Sequence, residues 1–446
     1  MLEHLDDPNP PQANADTRRL VLRRASRIRR QRALTAGLCL VALLAGALGG
    51  LAVGRGQGTT ILTTTQSAYE FDHESTTLTG GVAVPTAALV DVTFVDAQDG
   101  YGIALHRSKL VLASTSDGGS TWRVVAPKFP AGFLQGAGFA GQMEFSSAQH
   151  GYLWGGNLLS AKGDSPLWVT NNGGRTWQRA ALGPLVYDVS AIGDNVWAMA
   201  GTCRADTLPS ICAVTVDIST DGGTVWQAES EPAPLQSPAT MAPYELARIS
   251  LQHAYVLAPS AGPSPFVLLF SADAGATWVT RPVPCPTPFS LGAELAASSS
   301  EDLWLICGGQ ATSGDQLKEL YRSDDGGQTW NLASSATGFF GGAPDTTLST
   351  APLSASGYVA PFSIGHKTLA VVSPTQAWLF PSRGNLLMTT DGGYEWKAVP
   401  DLKSVGLNDG GAGNVTFISD TQGWVCAYGI GLWHTDDGIH WSALGQ

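Results

Sequence analysis

The sequence predicts an all-β fold, a seven-bladed β-propeller of four-stranded antiparallel blades preceded by one transmembrane helix, and three observations carry that prediction. A short motif ending in tryptophan occurs seven times, as TSDGGSTW, TNNGGRTW, STDGGTVW, SADAGATW, SDDGGQTW, TTDGGYEW and HTDDGIHW. The closing residues are Trp122, Trp177, Trp226, Trp278, Trp330, Trp396 and Trp441, at steps of 55, 49, 52, 52, 66 and 45 residues. A near-constant period of this size marks stacked units that cannot bury their apolar faces alone. A second motif, typified by FVDAQDGY and FISDTQGW, precedes each copy in phase and ends in Tyr101, Tyr152, Trp197, Tyr255, Trp304, Trp378 or Trp424. Third, residues 33–54 form a 22-residue run without a charged side chain.

Each repeat reads as four short strands. The run before Phe94 is strand A, the segment through Tyr101 is B, the apolar stretch into Thr115 is C, and the run after Trp122 is D. Period-two alternation and β-branched residues mark the strands, and Gly, Asp and Ser clusters mark the turns. Four strands per repeat of about 50 residues describe a propeller blade. Seven blades fill residues 86–446, and residues 59–66 are left as a segment that could add a closing strand.

The tryptophan motif has a turn chemistry of its own. Asp117, Asn172, Asp221, Asp273, Asp325, Asp391 and Asp436 stand where a side-chain oxygen can accept backbone N–H groups within the tight C–D turn. Glycines such as Gly119 permit positive φ, and each tryptophan can bury a large apolar surface against a neighbouring blade. Equivalent turns around a ring cannot converge on one substrate, so these acids read as structural rather than catalytic or metal-binding.

The paired motifs, F-x-D/S-x-x-x-G-W followed by T-x-D-G-G-x-T-W, resemble those of the Asp-box or bacterial neuraminidase repeat proteins, most closely the photosystem II stability and assembly factor and sortilin-type propellers. The resemblance covers about four fifths of the chain and implies a protein-binding scaffold. Photosystem assembly propellers also use an arginine-rich patch, which has no obvious equivalent here. Sialidases share the repeats but add an R-I-P motif and a triad of arginines; no R-I-P occurs in this sequence. Xyloglucan-type endoglucanases share them too and work through paired carboxylates. The acids Asp164, Asp206, Glu231, Glu245, Asp315, Glu319 and Asp345 fall in predicted loop-face positions, where solvated surface is the simpler reading.

Blade geometry divides the surface. A–B and C–D turns emerge on one face and B–C and D–A loops on the other, so the regular motifs occupy one face and the variable loops the second. Two loops stand out. The D–A connection of blade five carries Phe339, Phe340, Tyr358 and Phe362 in a Gly/Ser/Thr-rich insertion, a candidate loop for a protein partner or a sugar ring, with packing over the blade edge as the alternative. The B–C loop of blade three brings Cys203 and Cys212 nine residues apart, a pairing that suits an oxidising compartment; Cys285 and Cys307 form a second candidate pair bridging blades four and five. Cys39 and Cys426 are left over.

Topology follows from the N-terminus. Residues 1–32 hold eight arginines and four acids, and the 33–54 run is long enough to span a bilayer, placing the tail in the cytoplasm and the propeller outside. The long leading segment and the absence of a clear A-x-A site favour an uncleaved signal anchor over a cleaved signal peptide. Ala42, Gly46, Gly50 and Gly54 make a small-residue stripe able to pair two helices into a dimer. Residues 55–85 read as a Thr/Gly/Ser-rich linker.

Residues 56–446 carry 16 Lys and Arg against 33 Asp and Glu, a formal −17 that argues against nucleic acid as a partner. Gly136, Gly138 and Gly141 spell G-x-G-x-x-G but lie outside any strand-turn-helix context, so no nucleotide cofactor is expected. The eight histidines form no metal motif; His434 and His440 flank the last turn, where turn packing is the reading. The expectation is a membrane-anchored, extracytoplasmic, non-catalytic binding or assembly propeller, with a cell-surface glycoside hydrolase or carbohydrate-binding protein as the alternative.

Overall fold

The computed structural model describes residues 80–445 apart from short stretches, the longer of which are 134–140, 156–164, 204–211, 231–244, 337–352, 360–367 and 403–412. Seven antiparallel sheets follow one another along the chain, each made of consecutive strands from one contiguous segment. Blade one is Leu89–Phe94, Gly100–His106, Lys109–Thr115 and Trp122–Ala126, which are strands A to D as the repeat predicts. Blade five has the longest members, with strand B at Leu303–Thr312 and strand C at Asp315–Ser323. Blade seven runs from Gly413–Phe417 to Ser442–Leu444. A-strands of successive blades touch around the ring, including those of blades one and seven, so strand A is innermost.

Strand B explains the fully apolar runs in the sequence. It lies between two sheet neighbours and between two blades, and Gly151–Gly155, Ala254–Pro259 and Gly423–Ala427 are buried at every position. A half-exposed strand would alternate instead.

The core is a set of wedges between blades. Trp424 and Trp122 share the wedge between blades seven and one, Tyr101 and Trp177 that between one and two, and Tyr152 and Trp226 the next. Trp197 with Trp278, Tyr255 with Trp330, Trp304 with Trp396, and Trp378 with Trp441 complete the circuit. The second motif therefore supplies its aromatic to the following blade, and the first motif returns a tryptophan to the preceding one. Rings stack across these joints: Tyr101 on Phe145 at 3.6 Å between centroids, and Trp424 on Phe94 at 3.7 Å.

Closure needs no strand from the opposite end of the chain. Trp424 Nε1 donates to Gly118 O, and Asn414 Nδ2 donates to Asp91 Oδ1 and Val92 O, joining blade seven to blade one through side chains. Ala83–Val84, within the stretch read as linker, adds a fifth strand outside Trp122–Ala126 of blade one. The segment 59–66 and the signal anchor at 33–54 lie outside the described residues. Among the described residues no helix is long and apolar enough to cross a membrane.

Candidate functional site

The Asp-box face is occupied by its own hydrogen bonds. Asp117 Oδ1 accepts from Thr115 Oγ1 at 2.7 Å and Thr121 N at 2.8 Å, Oδ2 accepts from Thr121 Oγ1 at 2.7 Å, and Thr115 Oγ1 in turn accepts from Gly119 N at 3.0 Å. Asp273 and Asp325 repeat this set with Thr277 and Thr329, and Asp221 and Asp391 with backbone donors alone in the last part of the turn. The Thr329 hydroxyl and amide hold the Asp325 carboxyl down at about 2, and the Thr277 hydroxyl and amide lower that of Asp273. Asn172 preserves the turn by reversing one bond: its Nδ2 donates to Thr176 Oγ1 at 2.7 Å, where an aspartate would accept.

The seventh copy corrects the sequence reading. Its turn is one residue shorter, and the acceptor is Asp437 rather than Asp436: Asp437 Oδ1 accepts from Thr435 Oγ1, Ile439 N and His440 N. His440 Nδ1 sits 2.6 Å from Asp437 Oδ2, in the place a threonine hydroxyl takes elsewhere, and this pairing raises the His440 pKa. Asp436 instead accepts from Gln422 Nε2 at 3.1 Å. Among the described residues no group of three or more His, Cys, Asp or Glu side chains is placed to hold a metal ion.

A further set of acids was not legible as such in the sequence. Glu144, Asp188, Glu245 and Glu294 lie on the innermost strands of blades two to five. Each accepts backbone N–H from the next blade: Ala191 N, Leu246 N, Leu295 N, and both Thr368 N and Leu369 N, respectively. An inner strand has one edge without a sheet partner, and these carboxylates satisfy its N–H groups. Glu245 is thus a buried joint, not a loop-face acid. A lone acid in an apolar strand A is the only sequence signal that marks the set.

On the loop face, Cys285 and Cys307 form a disulfide with a Cα–Cα distance of 5.5 Å. It ties the D–A connection after blade four to strand B of blade five. Cys203 and Cys212 are direct cross-strand partners in blade three, though their side chains lie outside the described residues. Cys426 is a buried free thiol whose pKa burial pushes well up.

The insertion after blade five is partly docked. Phe339, Phe340 and Phe362 lie outside the described residues, whereas Tyr358 is half-buried. Tyr358 exchanges N–H···O bonds of 2.8 and 2.9 Å with Ser382 in the B–C connection of blade six. Leu353 and Val359 are buried in the wedge between blades five and six. Val359 N donates to Gln316 Oε1 at 2.7 Å, and Ser356 bridges to Asp315. Lys318, fully buried, donates from Nζ to Ser354 O at 3.1 Å, Ser356 O at 3.2 Å and Gln316 O at 3.3 Å. Desolvation pulls its pKa down to about 7, against the opposing field of Asp315. Gln316, Lys318 and Leu320 share one side of strand C, and two polar residues at buried positions of an apolar strand were the available signal for a docked segment.

Glu319, read as a loop-face acid, is likewise buried, within strand C, and accepts from Tyr321 OH at 2.7 Å; desolvation of that phenol, with its hydrogen bond to Glu319, raises its pKa. Asp164, Asp206, Glu231 and Asp345 lie outside the described residues.

The BNR/Asp-box repeat model matches residues 321–332, the C–D turn of blade five. No curated protein matches the chain significantly. Similar solved structures include YCF48 bound to D1 peptide, at 18% identity over 81% of this chain and 97% of that one, with a TM-score of 0.47. YCF48 from Cyanidioschyzon merolae is similar at 13% identity over 81% and 99%, with a TM-score of 0.49. The BP39L lectin from Burkholderia pseudomallei is similar at 13% identity over 81% and 98%, with a TM-score of 0.46.

Proposed function

We propose that this Asp-box-repeat propeller is a non-catalytic binding scaffold, held outside the cytoplasmic membrane by residues 33–54, that takes a protein segment on its loop face beside blades five and six. The observation that carries this reading is the docked part of the insertion. Leu353, Ser354 and Ser356–Val359 are fastened to both blades, and in the sequence they stand between Phe339 and Phe340 on one side and Phe362 on the other. Aromatic side chains bury large areas on binding and lose few rotamers, which suits them to anchor a protein partner. The opposite face offers turns whose polar groups are engaged with one another.

The Cys285–Cys307 disulfide supports an oxidising compartment and hence the outward orientation. Binding of an envelope polysaccharide is the second reading, because the same aromatic rings can stack on sugars. In-cell crosslinking and affinity recovery of the full-length protein separates the two, comparing wild type with a variant carrying Phe339→Ser, Phe340→Ser and Phe362→Ser. The proposal expects one protein recovered with wild type and lost with the variant. Recovery of polysaccharide alone would overturn it in favour of the second reading, and a protein recovered equally by both would remove the insertion from the site.

A further inference from the structure

We propose that residues 81–88 are the clasp of the ring, holding blade seven against blade one, and that the joint between these two blades opens when the clasp is loosened. The inference concerns how the ring is kept shut and stands independently of what the loop face binds. Six of the seven joints are spanned by a D–A connection, because the blades follow one another along the chain. Blades seven and one are not consecutive, so their joint is held by noncovalent contacts. The stretch leading into strand A of blade one lies across this joint.

Both parts of the stretch are tied down. On the blade-one side, Ala83 and Val84 pair with Arg123 and Trp122, Gly81 N donates to Val124 O at 2.8 Å, and Val124 N donates to Val82 O at 2.8 Å. On the blade-seven side, Thr86 Oγ1 donates to Leu444 O at 3.2 Å, and Gly429 N donates to Ala87 O at 3.1 Å. Pro85 carries the chain from one side to the other. It precedes a 3₁₀ turn at Thr86–Ala88, closed by Ala88 N donating to Pro85 O at 2.9 Å, and this turn lies against strand C of blade seven. The fit is close: a Cβ on Gly445 would lie 2.7 Å from Thr86 Cγ2.

The clasp also fills the wedge. Val84 is buried, and Val82, Val84 and Ala88 pack in one cluster with Trp122 of blade one and with Trp424 and Leu432 of blade seven. Apolar side chains that touch two blades at once stay out of water only while the joint is shut, so their burial favours closure. Loosening them shifts the equilibrium toward a locally open state that lies below global unfolding in free energy. Cys426 reports on that state. Its free thiol is buried in the same wedge, so a thiol reagent reaches it when the joint opens.

The test is the rate at which N-ethylmaleimide labels Cys426 in the full-length folded protein, read by peptide mass spectrometry at constant pH. Wild type is compared with the double variant Val84→Ala, Thr86→Val and with Val189→Ala, which trims a buried valine in the wedge between blades two and three. The expected result is labelling about tenfold or more faster in the double variant and within about twofold of wild type in Val189→Ala. Should the double variant not fold, Thr86→Val alone, which removes the hydroxyl's bond to Leu444 O, is expected to speed labelling about fivefold. Labelling as slow in the folded clasp variant as in wild type would overturn the clasp. Acceleration by Val189→Ala as large as that by the clasp variant would also overturn it, because exposure of Cys426 would then follow overall stability rather than this joint.

Discussion

Asp325 shows how much of the Asp box resides in one side chain. Its carboxylate is solvent-facing yet held at about 2 by the Thr329 hydroxyl and amide, with further donation from Ser323 and Gln328. A folded pKa below the unfolded value stabilises the fold above about pH 4, and the contribution is lost as pH falls from there through 2. Acid denaturation followed by tryptophan fluorescence should therefore steepen across that interval, and Asp325→Asn should flatten it. At neutral pH Asp325→Asn should change Tm by less than Asp325→Ala, because Asn172 already fills this role in the second repeat by donating to Thr176. The expected loss for Asp325→Ala is about 1–3 °C by calorimetry. The sequence made six of the seven acceptors legible through their spacing. The seventh was misplaced by one position because two adjacent aspartates and a missing glycine leave the spacing ambiguous, and only the Thr435–Asp437 bond resolves which carboxylate turns inward.

At the scale of the element, the inner glycine of the Asp-box turn, as at Gly119, Gly327 and Gly393, is where one blade closes on the one before. Gly393 has φ +87°, and a Cβ there would lie 2.4 Å from Leu320 Cδ2 and 2.9 Å from Trp304 Cζ3 of blade five. Gly429, in the B–C turn of blade seven, has a similar φ of +77° but nothing within 4 Å. Gly429→Ala should cost about 1 kcal/mol from backbone strain alone, whereas Gly393→Ala should cost about 2–4 kcal/mol because overpacking adds to it. Urea denaturation of both variants separates the contributions. Strand positions were legible because the motifs fix the period and strand B must be apolar throughout. The innermost acids were not, because a single Glu in a four-residue strand such as Glu245–Arg248 looks like a loop acid until the next blade's Leu295 N is placed against it.

For the whole molecule, stability depends on joints between blades that are separate in sequence. The Cys285–Cys307 bond closes a 22-residue separation across blades four and five, and its removal in Cys285→Ser, Cys307→Ser should cost about 3 kcal/mol by urea denaturation. Reducing agent should lower wild type by more than it lowers the double variant, which keeps only Cys203 and Cys212 as a candidate pair among the described strands. Trp424 and Asn414 close the ring by contacts 306 and 323 residues apart in the chain, a distance over which no local pattern in the sequence could announce them. The docked strap belongs to this scale too: the insertion was legible as an anomaly in length, but its fastening through Lys318 and Gln316 emerges only when blades five and six meet.

A molecule that works through its loop face engages its partner there, and site-specific photo-crosslinking in cells tests this most directly. A photoreactive residue would be placed singly at Ser356 or Arg107 on the loop face and at Val225 or Tyr394 on the Asp-box face, all of them exposed. Adducts to one partner from Ser356, and not from Val225 or Tyr394, are the predicted result. Adducts from the Asp-box positions with none from the loop face would contradict the account.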